Sequence, residues 1–262
     1  MSRLASTFAR LKGEGRTGII AYLTVGYPDV QSTISLVSAL EASGADIIEL
    51  GVPFSDPLAD GVTIQRASFH ALRQGITPEV CLEVCKSVRD AGVQVPLVLM
   101  GYYNPFLSMG LESFAAKAAQ AQIDGVIVPD LPPEEAGPLQ QLCLAKEIDI
   151  IFMLAPTSTD ERIARICHVA TGFVYCVSLT GVTGARQELA LGLPDFLARV
   201  RCHTHLPLAV GFGISTGAHV EAIGQYAEAV VVGSALINVV REAPPDERLS
   251  MVKEFIRNLR SA

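Results

Sequence analysis

Short runs of aliphatic and β-branched residues alternate along this chain with longer stretches in which apolar residues recur every three or four positions. The runs at 17–24, 47–50, 96–101, 125–128, 149–154, 172–177, 207–210 and 229–232 read as strands. Their apolar residues are near-continuous rather than alternating, which is the pattern of strands covered on both faces. Helical periodicity occupies 31–43, 78–91, 111–122, 133–146, 159–169, 194–201, 216–226 and 245–260. An amphipathic segment precedes the first strand, with Arg3, Arg10 and Lys12 interleaved among Leu4, Phe8 and Leu11. A helical pattern also resumes at Asp60.

Eight strand–helix alternations of this pitch predict an α/β fold, a single (β/α)8 TIM barrel with an extra N-terminal helix, spanning 1–262 as one domain. The competing architecture is an open doubly wound sheet, which wants a glycine-rich fingerprint after its first strand. Here that strand leads into VGYPD, which lacks one. Glycine or proline stands just past several strands, at Gly26, Gly51, Pro129, Pro156, Gly211 and Gly233, and no linker or charge block divides the chain.

Composition narrows the partners. A net charge of −7 argues against nucleic acid or an anionic membrane surface. The most apolar stretch, AEAVVVGSALINVV, is interrupted by Ser234 and Asn238 and reads as a buried strand with its following helix, not a membrane span. The N-terminal segment lacks the unbroken apolar core of a secretory signal. Six cysteines without framework spacing fit reduced, buried thiols, so a cytoplasmic location is expected. Neither Cys81 with Cys85 nor Cys202 with His203 and His205 has the ligand spacing of a metal site, so none is expected.

The chemistry concentrates in IIELGVPFSDPLADGVTIQ, residues 47–65. An apolar strand ends in a carboxylate, Glu49, a loop rich in Gly, Pro and Asp follows, and a second carboxylate, Asp60, precedes the next helix. A strand that delivers an acid to the rim of a barrel holds a general acid/base rigidly. Equally, Glu49 could end a strand in solvent and Asp60 could cap a helix, and spacing alone does not choose. Three glycine-rich segments lie on the same rim: GVTGA (181–185), VGFGIST (210–216) and VVGSA (231–235). Glycine permits close backbone approach, and exposed N–H groups at helix starts cradle anions. Opposite them stand Tyr22, Met100, Tyr102, Ile127, Met153, Tyr175 and Phe212, some of them core filler. A phosphate cradle, a flat apolar pocket and two carboxylates together suit an aromatic phosphate ester. No lysine stands at a suitable strand end for Schiff-base chemistry, and no His/Asp cluster suits a metal-assisted aldol step.

ELGVPFSDPLADG, together with AYLTVGYPD, YYNP, VPDLPPEE, GVTGA and GFGIS, resembles the α subunit of tryptophan synthase from the first helix to the last. The resemblance implies a barrel that cleaves indole-3-glycerol phosphate to indole and glyceraldehyde 3-phosphate, without cofactor or metal. By that resemblance Glu49 is the acid/base acting at indole C3 and Asp60 the partner of the indole N–H. Glu49 must start protonated, so its pKa is expected to lie above the usual range. Tyr175 matches an active-site tyrosine, Phe212 a ring contact, Thr183 and Gly184 the loop that closes over substrate, and Gly213, Gly233 and Ser234 the phosphate loops, while the rim residues Tyr22, Tyr102, Ile127 and Gly211 are expected as further substrate contacts. Pro53, Asp56 and Asn104 match positions that face a β subunit, implying an α2β2 heterotetramer that passes indole through a tunnel. Val62 departs from the proline usual after ADG, and Met100 and Met153 replace other aliphatics. A free-standing indole-releasing lyase, a catalytically quiet allosteric partner and another phosphate-binding barrel enzyme remain as alternatives.

Overall fold

A computed structural model describes residues 2–178, 192–211 and 213–260. Its strands are β1 (Gly18–Thr24), β2 (Ile47–Gly51), β3 (Leu97–Met100), β4 (Gly125–Ile127), β5 (Asp149–Ile151), β6 (Met153–Leu154), β7 (Val174–Val177), β8 (Leu208–Gly211) and β9 (Ala229–Val232). All pairings are parallel, in the order β5-β4-β3-β2-β1-β9-β8-β7-β6. Because β5 and β6 flank the single residue Phe152, the two ends of that order meet and the sheet forms a barrel. The predicted fifth strand is thus divided. Its first half pairs with β4 and its second with β7, while the Phe152 carbonyl accepts the Tyr175 N–H at 3.0 Å.

Among the described residues the helices are α1 (Arg3–Glu14), α2 (Val30–Ala42), α3 (Val62–Arg73), α4 (Pro78–Asp90), α5 (Tyr103–Met109), α6 (Leu111–Gln120), α7 (Gly137–Leu144), α8 (Asp160–Val169), α9 (Leu193–Arg201), α10 (Gly217–Gly224), α11 (Ser234–Glu242) and α12 (Arg248–Arg260). Side-chain caps start many of them. Asp29 accepts the Ser32 N–H at 2.7 Å, and Thr77, Thr159 and Thr216, immediately ahead of α4, α8 and α10, likewise accept a first-turn N–H. The helix expected over 133–146 begins only at Gly137, because Pro138 would stand inside the longer helix without an N–H to donate and is accommodated only in a first turn. Helix α5, only two turns long, was not anticipated.

The barrel interior is layered. Leu4, Phe8 and Leu11 of α1 pack with the inward residues Ile20, Ile47, Val98, Ile127, Ile151, Phe173, Ala209 and Ala229. The extra helix therefore plugs one end of the barrel and completes its core. Two residues further along β2 from Ile47 is Glu49, on the same inward face. It lies in register with Tyr22 on one side and Val98 on the other. The chemistry thus sits in the top layer, toward the strand C-termini.

Buried carboxylates tie the plugged end together. Asp46 accepts from Arg10, Arg16 and Arg260 at 2.7–2.9 Å and from the Ile19 N–H at 3.0 Å. Asp124 accepts from Arg3 at 3.0 Å, Arg89 at 2.6 Å and the Leu97 N–H at 2.8 Å. Helices α1 and α12 are both anchored to the barrel floor in this way. A buried carboxylate needs such partners to stay charged.

Candidate active site

Strand β2 places Glu49 with 1 % of its surface exposed, and its Oε2 has no hydrogen-bond partner among the described residues. An ionised carboxylate without partners in such a place is strongly disfavoured. Burial, and secondly the charge of Asp60, push the Glu49 carboxyl up to about 8. At neutral pH it carries its proton. Asp60 approaches from the loop after β2. Burial raises it to about 6, against the opposing pull of a hydrogen bond from Tyr102. The two carboxyl groups therefore differ in state at pH 7, one an acid and the other largely a carboxylate. That is how a pair of like groups divides acid and base roles.

The Asp60 loop is braced from the next strand. The Ala59 N–H donates to the Tyr102 hydroxyl at 2.9 Å, and the Tyr102 ring packs on Phe54 with centroids 5.2 Å apart. Gln65 of α3 donates to the Asp60 carbonyl at 2.8 Å, and the Asp60 N–H donates to the Pro57 carbonyl at 3.1 Å. Val62 is the first residue of α3 and is exposed. A proline's fixed φ would fit that position, so valine removes a restraint without removing a contact.

Glu49 and Asp60 border a cavity of about 230 Å³, together with Tyr22, Ile64, Met100, Met153, Tyr175 and Val231. Two strand-end glycines make room for it. A Cβ on Gly51 would stand 2.1 Å from the Tyr22 hydroxyl, and one on Gly211 would stand 2.2 Å from the Tyr175 hydroxyl. Each tyrosine thus lies across the end of its neighbouring strand, where any side chain would displace it. The cavity is also lined by Gly213, Ile214 and Ser215, ahead of α10, and by Gly233, Ser234 and Ala235, at the start of α11. Gly213 takes a φ of +76°, a conformation glycine adopts freely. Among the described residues no side chain caps α11, which leaves its first-turn N–H groups for a ligand. Backbone donors at the positive end of a helix dipole suit an anion.

Of the residues singled out from sequence, Tyr22, Glu49, Asp60, Tyr175, Gly213, Gly233 and Ser234 meet around this one cavity. Tyr102 lies behind it and supports the Asp60 loop. Ile127 is fully buried in the barrel core, and Gly211 sits beneath the Tyr175 hydroxyl, so neither lines the cavity. Thr183, Gly184 and Phe212 fall outside the described residues. Asp56 and Asn104 are exposed, whereas Pro53 is buried, because the chain runs on from β2 into the fold before it turns outward. Ile214, Ser215 and Ala235 lie within the glycine-rich segments already singled out from sequence, whereas sequence reading missed Ile64 and Asn238. Ile64 could have been found as an apolar residue on the first turn of a helix that follows the acidic loop. Asn238 had a clearer signal, a polar residue in the most apolar segment.

A family model for the tryptophan synthase alpha chain matches residues 8–261. A tryptophan synthase alpha chain of Roseiflexus sp. (strain RS-1) is 58 % identical over 260 residues, covering 99 % of this chain and 100 % of its own length. That of Chloroflexus aurantiacus is 53 % identical over 262 residues, covering 100 % of this chain and 98 % of its own. Among solved structures, a chain of Mycobacterium tuberculosis tryptophan synthase superposes with a TM-score of 0.90 at 39 % identity, covering 98 % of this chain and 96 % of that one. The tryptophan synthase subunit alpha of Legionella pneumophila gives 0.89 at 36 % identity, covering 99 % and 97 %.

Proposed function

This chain belongs to the tryptophan synthase alpha chain family of lyases, and on that premise we propose that it cleaves indole-3-glycerol phosphate to indole and glyceraldehyde 3-phosphate at the cavity around Glu49. The carrying observation is the buried Glu49 carboxyl with one oxygen left unpartnered, bordering together with Asp60, Gly213 and the start of α11 one and the same cavity.

The steps follow from that arrangement. The Glu49 carboxyl gives its proton to C3 of the indole, and the ring π electrons that form the new C–H bond leave positive charge on the N1–C2 unit. Asp60, ionised, accepts the ring N–H and offsets that charge. The Glu49 carboxylate then removes the proton from the hydroxyl on the carbon attached to C3. As that oxygen forms a carbonyl, the C3–C bond breaks and its electron pair restores the aromatic ring. Indole and the aldehyde leave with Glu49 protonated again, so the cycle consumes nothing else. The phosphate, held by the backbone N–H groups near Gly213 and Ser234, fixes the scissile bond over Glu49.

Membership of the family brings a β-subunit partner. We assign the α2β2 assembly and cytoplasmic location to it as part of the same reading. Among the described residues, no helix is long and apolar enough to cross a membrane. The surface beside the cavity supports docking there. Leu58 is 96 % exposed on the Asp60 loop and Leu107 is half exposed on α5, and Tyr102 links those two segments. Purified chain should cleave indole-3-glycerol phosphate slowly alone and much faster with a tryptophan synthase β subunit, and Glu49→Gln should abolish both rates. Absence of cleavage in either condition sinks the proposal, and cleavage indifferent to the β subunit removes the partner from it.

A further inference from the structure

Two buried side-chain oxygens among the described residues lack a hydrogen-bond partner, Glu49 Oε2 and Asn238 Oδ1, and both residues line the same cavity. Leaving such an atom unpaired costs stability, and a native structure that keeps one invites a reason. For Glu49 the reason is proton transfer. The steps above leave Asn238 unused. It stands four residues after Ser234 on α11, hence on the same helix face one turn along. Helical side chains lean toward the helix N-terminus, which directs the Asn238 side chain back toward the first turn, whose residues Ser234 and Ala235 line the same cavity. The core face of α11 is carried by Leu236, Ile237 and Val240, so packing does not call for an amide here.

We propose that Asn238 is a substrate-binding residue whose Oδ1 accepts a hydrogen bond from the middle hydroxyl of the glycerol phosphate chain. The inference rests on the substrate assigned above, and it follows from counting donors on that molecule. The ring N–H is taken by Asp60 and the hydroxyl next to the ring by Glu49. The phosphate oxygens are acceptors. One donor is left, the hydroxyl on the carbon adjoining the phosphate-bearing carbon, and it lies at the α11 end of the cavity. A carboxamide suits this place because it offers an acceptor without placing a negative charge beside the phosphate.

The test uses the full chain and two ligands: indole-3-glycerol phosphate as substrate, and 3-(indol-3-yl)propyl phosphate, which keeps the ring and phosphate but has neither hydroxyl, as competitive inhibitor. Asn238→Ala should lower kcat/KM for the substrate by about 3- to 10-fold, the loss of one neutral hydrogen bond. The inhibitor's Ki should stay within about twofold, as only the hydroxyl-bearing ligand made that bond. Asn238→Asp should weaken both ligands by roughly tenfold or more, because its charge would stand near the phosphate. Equal weakening of both ligands by Asn238→Ala, or no change in kcat/KM, overturns the assignment, as does an Asn238→Asp variant that binds the inhibitor like wild type. Wild-type protein that fails to cleave the substrate overturns the function as well, which separates the two failures.

Discussion

A Glu49→Gln variant should gain stability on the wild type steadily as pH rises. The reasoning starts from a buried carboxyl whose pKa stands near 8 against an ordinary 4.5. Between those values the folded chain holds a proton that the unfolded chain has released. Stability therefore falls as pH rises, by about 1.4 kcal/mol for each pH unit. The wild-type penalty is absent below pH 4.5 and complete only above about 8, where it is on the order of 5 kcal/mol. Gln cannot ionise, so the variant escapes it. The amide brings its own fixed cost, but a fixed cost shifts the whole curve and leaves its slope alone. Asp60 titrates in both proteins and cancels to first order. Thermal melting of the two proteins from pH 5 to 9 is the assay. From pH 5 to 7 the variant should gain about 3 kcal/mol on the wild type, or about 5–10 °C in Tm for a chain of this size. A gap that stays flat across this range, or narrows, would refute the burial argument and with it the protonated state on which the proposed mechanism depends.

The same two carboxyls should give a bell-shaped pH profile of kcat/KM, falling below about 6 as Asp60 is neutralised and above about 8 as Glu49 loses its proton. These limbs belong to the pair, so Asp60→Asn should erase the acid limb and also move the basic limb down, because the Asp60 charge helps hold Glu49 up; an unmoved basic limb would show the two do not interact. Gly51→Ala and Gly211→Ala should each cost about 1–3 kcal/mol by denaturant unfolding and reduce cleavage, because the new methyl displaces Tyr22 or Tyr175. Wild-type activity in either would show the tyrosines can move freely. Asp46→Asn should cost about 2–3 kcal/mol at pH 7, less than a fully buried pair because its arginine partners are part-exposed. Burial alone would raise Asp46, but bonds from Arg16, the Ile19 N–H and Arg10 outweigh it and hold the carboxyl below its usual value. This contribution is present above the ordinary pKa of 3.8 and is lost as pH falls through the lower folded value. Equal destabilisation at pH 7 and in strong acid would contradict it.

Much of the barrel was legible in sequence because parallel strands buried on both faces need unbroken apolar runs, and the connecting helices need a three-to-four repeat. The expected eight runs correspond to β1–β9 with one run divided. That division left no mark in DIIFML, since a strand that changes partner midway stays apolar throughout. Helix α5 was hidden by its two-turn length, too short for periodicity to register. For the site, Glu49 was visible as a charge closing an apolar run, and the glycine-rich segments as chemistry with no packing purpose. Ile127 shows the limit. A residue at a strand end lines the cavity or fills the layer beneath according to the stagger between strands, which only three-dimensional register supplies. Asn238 was noticed as an interruption of apolar sequence, but its meaning depended on what Ser234, four residues before it, was doing.

The division at Phe152 leaves the barrel wall uneven. β1 and β2 share five register pairs, whereas β4 and β5 share three and β6 and β7 only two. Cooperative opening follows the weakest contacts first. The seam beside β6 is therefore where amide hydrogens of the wall exchange with solvent earliest, and Met153 and Tyr175, paired across it, both border the cavity. A transient breath of the sheet would part the cavity's own side wall while the β1–β2 wall behind Glu49 held. Solvent exchange measured strand by strand would thus trace a stiff half that carries the acid and a yielding half that faces it.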